Sequence, residues 1–477
     1  MDNGCIRTNY FERLFAYFVD VDKGERIKVI YLSLMFFLII GSYTIAKGLK
    51  DSLFVSMVGQ TYIPYAKPMV IFILIPFIFI YSQLVDSVRR HQLIYIYSIV
   101  YGIGFAIFAV LLGIPGIGLQ NTDASPYRIL GWVFYFFVEG FTPFVIALFW
   151  SFSNSITKPE AAKKNYSIMV AGSKIGGMVT AGFAWWLFTA TDKKIIGISD
   201  VASHQLLMGI ASLFLLCVPL MVYLMMKKAP KGSLHGYEAA YFVEKKKEEQ
   251  VKKNGLLTFW NDMTGGLKVL IKYPYVLGIF GMVFFWEIIN AIFQYMRLGI
   301  GKELTQSASG LSGFVFEQDF YAHIVGLLFV FFGTRALIKT FGIKRSLVAV
   351  PLLTGGLMLY YLSSRSATAV CIVLVIVRAV NYALASPLRE TLYIPTTKET
   401  KFKTKSWIDA FGTKIAKTTG QFYNFMTGGI AAAVVFNIHL SFFLLIIGLW
   451  SIMAYGLGKK YESAVENNEV IGSDESC

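Results

Sequence analysis

Charge is scarce in this sequence: Asp, Glu, Lys and Arg make up 15% of its 477 residues, against the ~25% usual for soluble domains. The shortfall disfavours a soluble enzyme, a disordered chain and a nucleic-acid binder. Cysteine is scarce too. Cys5, Cys217, Cys371 and Cys477 lie far apart, with no CxxC pair and no metal-like spacing, so a disulfide framework or a metal site is not expected. The histidines (His91, His204, His235, His323, His439) are scattered, and only His323, near the start of helix 8, is placed to line a pathway, a structural role being its favoured reading. There is no GxxxxGKS/T phosphate loop. The run Gly412-Thr-Lys-Ile-Ala-Lys-Thr418 has the wrong spacing and sits in an apolar stretch. HExxH and GxSxG are missing as well, so neither hydrolysis nor a cofactor is expected. Residues 1–28 carry Asp2, Glu12, Asp20, Asp22 and Glu25 and lack a cleavable apolar core, so no signal peptide is expected in them.

What the chain has in excess is apolar surface, 56% of residues with a mean hydropathy of +0.58. A bilayer crossing needs roughly 20 apolar residues for a core of about 30 Å. Twelve such stretches are read: Val29–Ala46, Tyr65–Leu84, Leu93–Leu112, Ile129–Trp150, Tyr166–Phe188, Leu206–Met226, Val276–Tyr295, Phe320–Ile338, Ser346–Leu362, Ala367–Pro387, Trp407–Val435 and Leu440–Leu457. They are too long for membrane-barrel strands, and lipid obliges each backbone amide to find a partner within its own segment, so all are helices. The expected class is an all-α membrane protein of twelve transmembrane helices in two six-helix halves, like the major-facilitator architecture. The net charge of +15 then reflects topology. With the N-terminus inside, the cytoplasmic segments hold 30 of the 44 Lys and Arg, the opposite loops 8 and the spans 6. That asymmetry puts both termini in the cytoplasm. The expected organisation is a cytoplasmic N-terminal segment (1–28), a first half (29–226), a lysine-rich cytoplasmic linker (227–275), a second half (276–457) and a cytoplasmic tail (458–477). The linker reads as a solvated connection that also enforces topology, with anionic lipid headgroups as its functional alternative partner.

Charges inside spans are expensive, about 2.5–3.5 kcal/mol each on insertion scales, and as a set mark the candidate site, a structural ion pair between helices being the alternative for any single one. Lys67, Arg335 and Asp409 fall near span ends and are expected to snorkel. Glu139, Lys174, Glu287, Arg378, Lys414 and Lys417 sit deeper, and Lys47 and Lys50 prolong the first helix. Lys47/Lys50 and Lys414/Lys417 are each three apart, so each pair projects from one helical face. Two doublets with Lys174 and Arg378 outnumber Glu139 and Glu287. Such a cavity is poorly compensated until an anion enters, and multivalent phosphate suits it, Lys as a point charge and Arg as a bidentate fork. In a six-plus-six layout helix 5 (Lys174) corresponds to helix 11 (Lys414, Lys417), and helix 4 (Glu139) to helix 10 (Arg378).

Several runs resemble the ATP/ADP translocase (nucleotide transporter) family of plastids and intracellular bacteria. Ser42-Tyr-Thr-Ile-Ala-Lys-Gly-Leu-Lys-Asp51 resembles its NYxxLRxxKD segment. Phe149-Trp150, Asn154, Ile156-Thr-Lys158 and Glu160-Ala-Ala-Lys-Lys-Asn-Tyr166 resemble FWxFxNxITKxxEAKRFY. Tyr393-Ile-Pro395, Ile408-Asp409, Lys414 and Ala416-Lys-Thr-Thr-Gly420 resemble its YIP…ID…RxGKSGG region. The resemblance implies exchange of ATP for ADP, or import of other nucleotides, without hydrolysis. It also implies that Lys50, Glu139, Glu287 and Lys417 are the functional intramembrane charges. Lys47 and Lys414 stand where the family usually has Arg, Lys174 where it has Asn, and Ala416, Thr418 and Thr419 replace the GKSGG glycines and serine. The expectation is a secondary ATP/ADP exchanger of the cytoplasmic membrane working by alternating access, with phosphate or protons as open co-substrates. The rivals are a proton-coupled nucleotide importer using Glu139 or Glu287, a major-facilitator carrier of another organic anion and, in a different class, an intramembrane enzyme.

Overall fold

The computed structural model describes residues 23–471 apart from 89, 158, 231–267, 333, 394, 397–399, 401–403, 429, 431, 468 and 470. Most of the 227–275 linker, the segment 1–22, and Lys158 of the family motifs lie outside the described residues, as do the side chains of 160–166 and Arg335.

The described residues form twelve helical rods. They are α1 (Lys23–Met57), α2 (Ile63–Ser87), α3 (Arg90–Leu112), α4 (129–155), α5 (Pro159–Asp192), α6 (Asp200–Lys228), α7 (Pro274–Leu304), α8 (Ala308–Phe332), α9 (Thr334–Ser364), α10 (367–392), α11 (405–427) and α12 (Ala432–Glu466). Seven of the helices are long and apolar enough to cross a membrane. The only strand-like contact among the described residues is a bridge between Thr396 and Ile471. Large apolar side chains point outward, Phe72 and Ile452 being more than 70% exposed, as lipid-facing surfaces require. Several rods outrun their apolar stretches. α1 continues beyond Ala46 to Met57 and α7 beyond Tyr295 to Leu304, so Lys47, Lys50 and Arg297 lie within helices. Hydropathy falls where these charges begin, whereas the helical hydrogen bonding carries on through them.

Two large apolar cores, one mainly in the first six rods but reaching Leu298 of α7 and Phe316 of α8, the other in the last six, mark two halves. Their packing repeats with a shift of six rods. α1 lies on α4, α5 and α6 as α7 lies on α10, α11 and α12, and α3 lies on α6 as α9 lies on α12. Small residues make the closest approaches. A Cβ on Gly172 would come within 2.8 Å of the Ser33 carbonyl and one on Gly176 within 2.5 Å of that of Phe37, so α5 meets α1 backbone to backbone. In the other half Gly420 of α11 sits in the same way on the Ile288 carbonyl of α7, 2.8 Å from where its Cβ would be. Glycines four apart on one face are the membrane device for tight helix contact. α9 bends sharply at Gly342, whose φ of +72° is open to glycine without penalty.

Three rods contain π turns: Thr142–Ile146 in α4, Asn381–Ala385 in α10 and Ile408–Gly412 in α11. In α4 and α10 the turn begins three residues after Glu139 and after Arg378, respectively. These two residues therefore occupy twin places in the repeat, with opposite charge.

The halves join across α5–α8 and α2–α11. Side-chain contacts between them gather at the end where α1 finishes. There Gln60 donates to the Tyr295 carbonyl at 3.1 Å, Tyr65 meets Phe425 edge-on, and Ser307 bonds Asp192. Ser203 and Ser309 are 3.1 Å apart, and Ser312 links Ser52 (2.8 Å) to His204 (2.9 Å). This seam closes one end, and a central cavity opens toward the other, where α1 begins.

Candidate functional site

The cavity has a volume of about 600 Å³, within the usual range for small-molecule sites. Each wall is set by helical spacing. α1 presents Tyr43, Lys47 and Lys50, α7 presents Glu287, Asn290 and Gln294, and α11 presents Lys414, Lys417 and Gln421. All are steps of three or four residues along one face. α2 adds Lys67, and α4 and α10 bring Glu139 and Arg378 just before their π turns. A π turn inserts an extra residue per turn and re-aims the side chains beyond it, and here residues of all three π turns line the cavity.

Glu139 is the hub of one cluster. Its carboxylate accepts from Lys50 at 2.6 Å, Lys67 at 3.0 Å and Lys414 at 2.6 Å. The first two ammonium groups come from α1 and α2 of the same half, and the third crosses from the other half. Lys50 also lies 3.3 Å from Asp51, which accepts from Gln294 at 2.5 Å. The Tyr135 ring lies under both Lys50 (4.6 Å) and Lys67 (5.1 Å), a cation–π support suited to a buried ammonium. Across the cavity Lys417 faces Glu287 at a loose 3.6 Å, and Asn290 stands 3.5 Å from the same carboxylate.

A second cluster lies within the C-terminal half. Asp319 of α8 accepts from Arg297 of α7 at 3.0 Å and from Arg378 of α10 at 2.5 Å. Arg297 is 1% exposed. The two clusters use equivalent rods: one acid and two bases drawn from α1, α2 and α4, and one acid and two bases drawn from α7, α8 and α10. The acid has moved from the fourth rod to the counterpart of the second. The lysine cluster faces the cavity, whereas in the arginine cluster only Arg378 does.

Seven of the eight predicted site residues line this one cavity: Lys47, Lys50, Glu139, Glu287, Arg378, Lys414 and Lys417. Lys174 does not. Its ammonium covers the ring of Tyr382 at 4.5 Å, and it is the Tyr382 ring that reaches the cavity. Lys67 and Asp409 line the cavity as well, although their place near span ends pointed to the headgroups. Proximity to an end in sequence fixes depth and leaves the direction of the side chain open. Arg297 and Asp319 escaped notice because each sits outside an apolar run. The lining bases (Lys47, Lys50, Lys67, Arg378, Arg389, Lys414, Lys417) outnumber the lining acids (Glu139, Glu287, Asp409) seven to three. Counting the buried neighbours Asp51, Asp319 and Arg297 makes it eight to five. Among the described residues Lys47 meets no carboxylate within ion-pair distance. Such a chamber can hold a multivalent anion.

Comparison with known proteins agrees with this chemistry. The chain is 25% identical to "ADP,ATP carrier protein 1" of Chlamydia pneumoniae, over 97% of each chain. It is 23% identical to "ADP,ATP carrier protein 1" of Rickettsia prowazekii, over 97% of this chain and 98% of the relative. Among solved structures, a D-xylose–proton symporter superposes with a TM-score of 0.59 at 13% identity, covering 91% of this chain and 96% of that one. A nucleoside transporter superposes with a TM-score of 0.54 at 13% identity, covering 91% and 100%. These two establish a major-facilitator-like fold. The TLC ATP/ADP transporter family matches residues 6–115 and 130–461, and this multi-pass membrane protein belongs to it.

Proposed function

We propose that this protein exchanges ATP and ADP across the cytoplasmic membrane by alternating access, without hydrolysing either. The observation that carries the reading is the cation surplus around a cavity placed between two repeated halves, in a chain that belongs to the TLC family. The asymmetry of Lys and Arg supports cytoplasmic termini, which makes the open end the cytosolic one. The structure then corresponds to an inward-open shape.

In this reading Glu139 acts as a stand-in for cargo. Without ligand it gathers three ammonium groups that would otherwise repel one another in a low-dielectric chamber. A di- or triphosphate brings more negative charge than one carboxylate, and would take over Lys50 and Lys67 from one half together with Lys414 and Lys417 from the other. By binding both halves at once it would draw them together and lower the barrier to reorientation. Among the described residues the empty cavity joins the halves only through Glu139–Lys414, Asp51–Gln294 and Lys174 over Tyr382, less charge than a polyphosphate would bring, so the return step would depend on a second nucleotide. Glu287 would then hold Lys417 in position, and Lys47 and Arg378 would be left to take further phosphate oxygens.

The test loads proteoliposomes with ADP and follows labelled ATP from outside. Uptake is expected to exceed that of empty vesicles several-fold. Equal uptake in both would exclude exchange, and uptake driven by a pH gradient in empty vesicles would favour proton coupling. Lys50→Ala and Lys417→Ala are each expected to weaken nucleotide binding about tenfold or more while membrane insertion persists. Wild-type affinity in both variants would remove them from the phosphate site.

A further inference from the structure

A nucleotide has a flat apolar end as well as a charged one, and the cavity provides for both. Three of the four rods that meet at Glu139 continue toward the open end with apolar side chains in the cavity wall. On α2 Lys67 is followed at i+4 and i+7 by Ile71 and Leu74. On α4 Glu139 is followed at i+4 and i+8 by Pro143 and Ala147. On α11, which runs in the opposite sense, Lys414 is preceded at i−3 by Phe411. At 1.5 Å of rise per residue these side chains lie about 5–12 Å along the helices from the ammonium cluster, a gap that a ribose and its ester linkage bridge.

Four aromatic rings line the cavity: Tyr43, Trp286, Tyr382 and Phe411. Three already have occupations. Tyr43 stacks on Phe141 with centroids 5.5 Å apart, Trp286 is 9% exposed and packed in the C-terminal core, and Tyr382 carries the Lys174 ammonium on one face. Phe411 is half-buried, and its ring neighbour among the described residues is Trp407 at 6.3 Å. It also lies about one helical turn from Lys414, on the side of the lysine cluster where Ile71 and Leu74 of α2 and Pro143 and Ala147 of α4 line the cavity.

We propose that the nucleobase of the transported nucleotide lies in this slot between α2, α4 and α11, with Phe411 as its stacking partner and the polyphosphate on Lys50, Lys67 and Lys414. The inference rests on the nucleotide reading above. It assigns base recognition to the side of the cavity that joins the two halves through α2 and α11, so that base and phosphates report together on occupancy.

The experiment measures binding of ADP and of inorganic tripolyphosphate to purified protein in lipid nanodiscs. Phe411→Ala is expected to weaken ADP about tenfold or more, the loss typical of removing a base-stacking ring. Tripolyphosphate should stay within about twofold of wild type, and Phe411→Trp should keep ADP affinity. Ala147→Trp, which fills the slot from the opposite wall, should weaken ADP and spare tripolyphosphate, and so covers the case in which Phe411→Ala does not fold. Unchanged ADP affinity in Phe411→Ala, equal loss of both ligands in a monodisperse variant, or a selective ADP loss in Tyr43→Ala or Tyr382→Ala instead would overturn the slot. Wild-type protein that binds tripolyphosphate but not ADP would also overturn it, leaving the cationic site standing. Protein that binds neither would remove the nucleotide reading itself.

Discussion

Three ammonium groups around one carboxylate is an arrangement that depends wholly on that carboxylate. Glu139 is 11% exposed at its side chain, and removing one partner from a buried pair typically costs about 3–5 kcal/mol because the charge left behind has no counter-ion. Glu139→Gln should therefore lower the thermal unfolding temperature of the empty protein. Added ADP should restore more stability in the variant than it adds to wild type, since the lysines then rely on phosphate alone. Thermal unfolding of both proteins with and without ADP reads this directly, and equal ligand-induced shifts would contradict the stand-in role. At this scale much was legible beforehand, because a charge in an apolar run is conspicuous and its cost demands a reason. Lys414 and Lys417 announced themselves in that way. Arg297 and Asp319 did not, since they flank apolar runs and hydropathy reads flanks as loops. Lys174 stood out in sequence, yet α5 turns it onto Tyr382, a matter of helix rotation that residue type does not encode.

Among the elements, the paired contacts α1–α5 and α7–α11 are held by glycines whose replacement has nowhere to go. A side chain at Gly176 would press on the Phe37 carbonyl, a backbone atom that cannot swing aside. Gly176→Val should destabilise the protein by about 1–3 kcal/mol through overpacking, and Gly456→Val, at a position with open space around it, serves as the control. Size-exclusion profiles after mild heating should show aggregation of the first variant well before the second, and indistinguishable profiles would mean that α1 and α5 have more room than they show. The helices themselves were readable from length and polarity, because lipid leaves the backbone no other way to satisfy its amides. Their ends were not. The π turns were also hidden: Thr142-Pro-Phe-Val-Ile146 and Asn381-Tyr-Ala-Leu-Ala385 have no composition in common, and what they share is a place in the repeat and a wall of the cavity.

For the molecule as a whole, the closed end and the open end define one of the two shapes that alternating access requires. Ser203 and Ser309 face each other across the seam, 3.1 Å apart at their hydroxyls. Cysteines at both positions should form a disulfide under mild oxidation, since adjacent side chains of this kind bring the backbones within bridging range. The cross-linked protein should lose ATP/ADP exchange and regain it on reduction, while still binding ADP presented at the open end. Exchange that continues in fully cross-linked protein would show that the seam does not part during transport. Two-halves architecture was legible from the count of spans and the Lys and Arg asymmetry, whereas which end is shut is a property of packing between rods distant in sequence.

The composition of that seam has a consequence for the balance between shapes. Apart from Asp51 and Asp192, its polar contacts join neutral hydroxyl, imidazole, amide and carbonyl groups, each worth a net of about 0.5–1.5 kcal/mol. The four together amount to about 2–6 kcal/mol, which at its upper end reaches the ~5.5 kcal/mol that carries a two-state population from one part in a hundred to ninety-nine. A clasp of that strength keeps the vacant carrier facing one compartment most of the time, and leaves it weak enough for a single well-bound anion to tip.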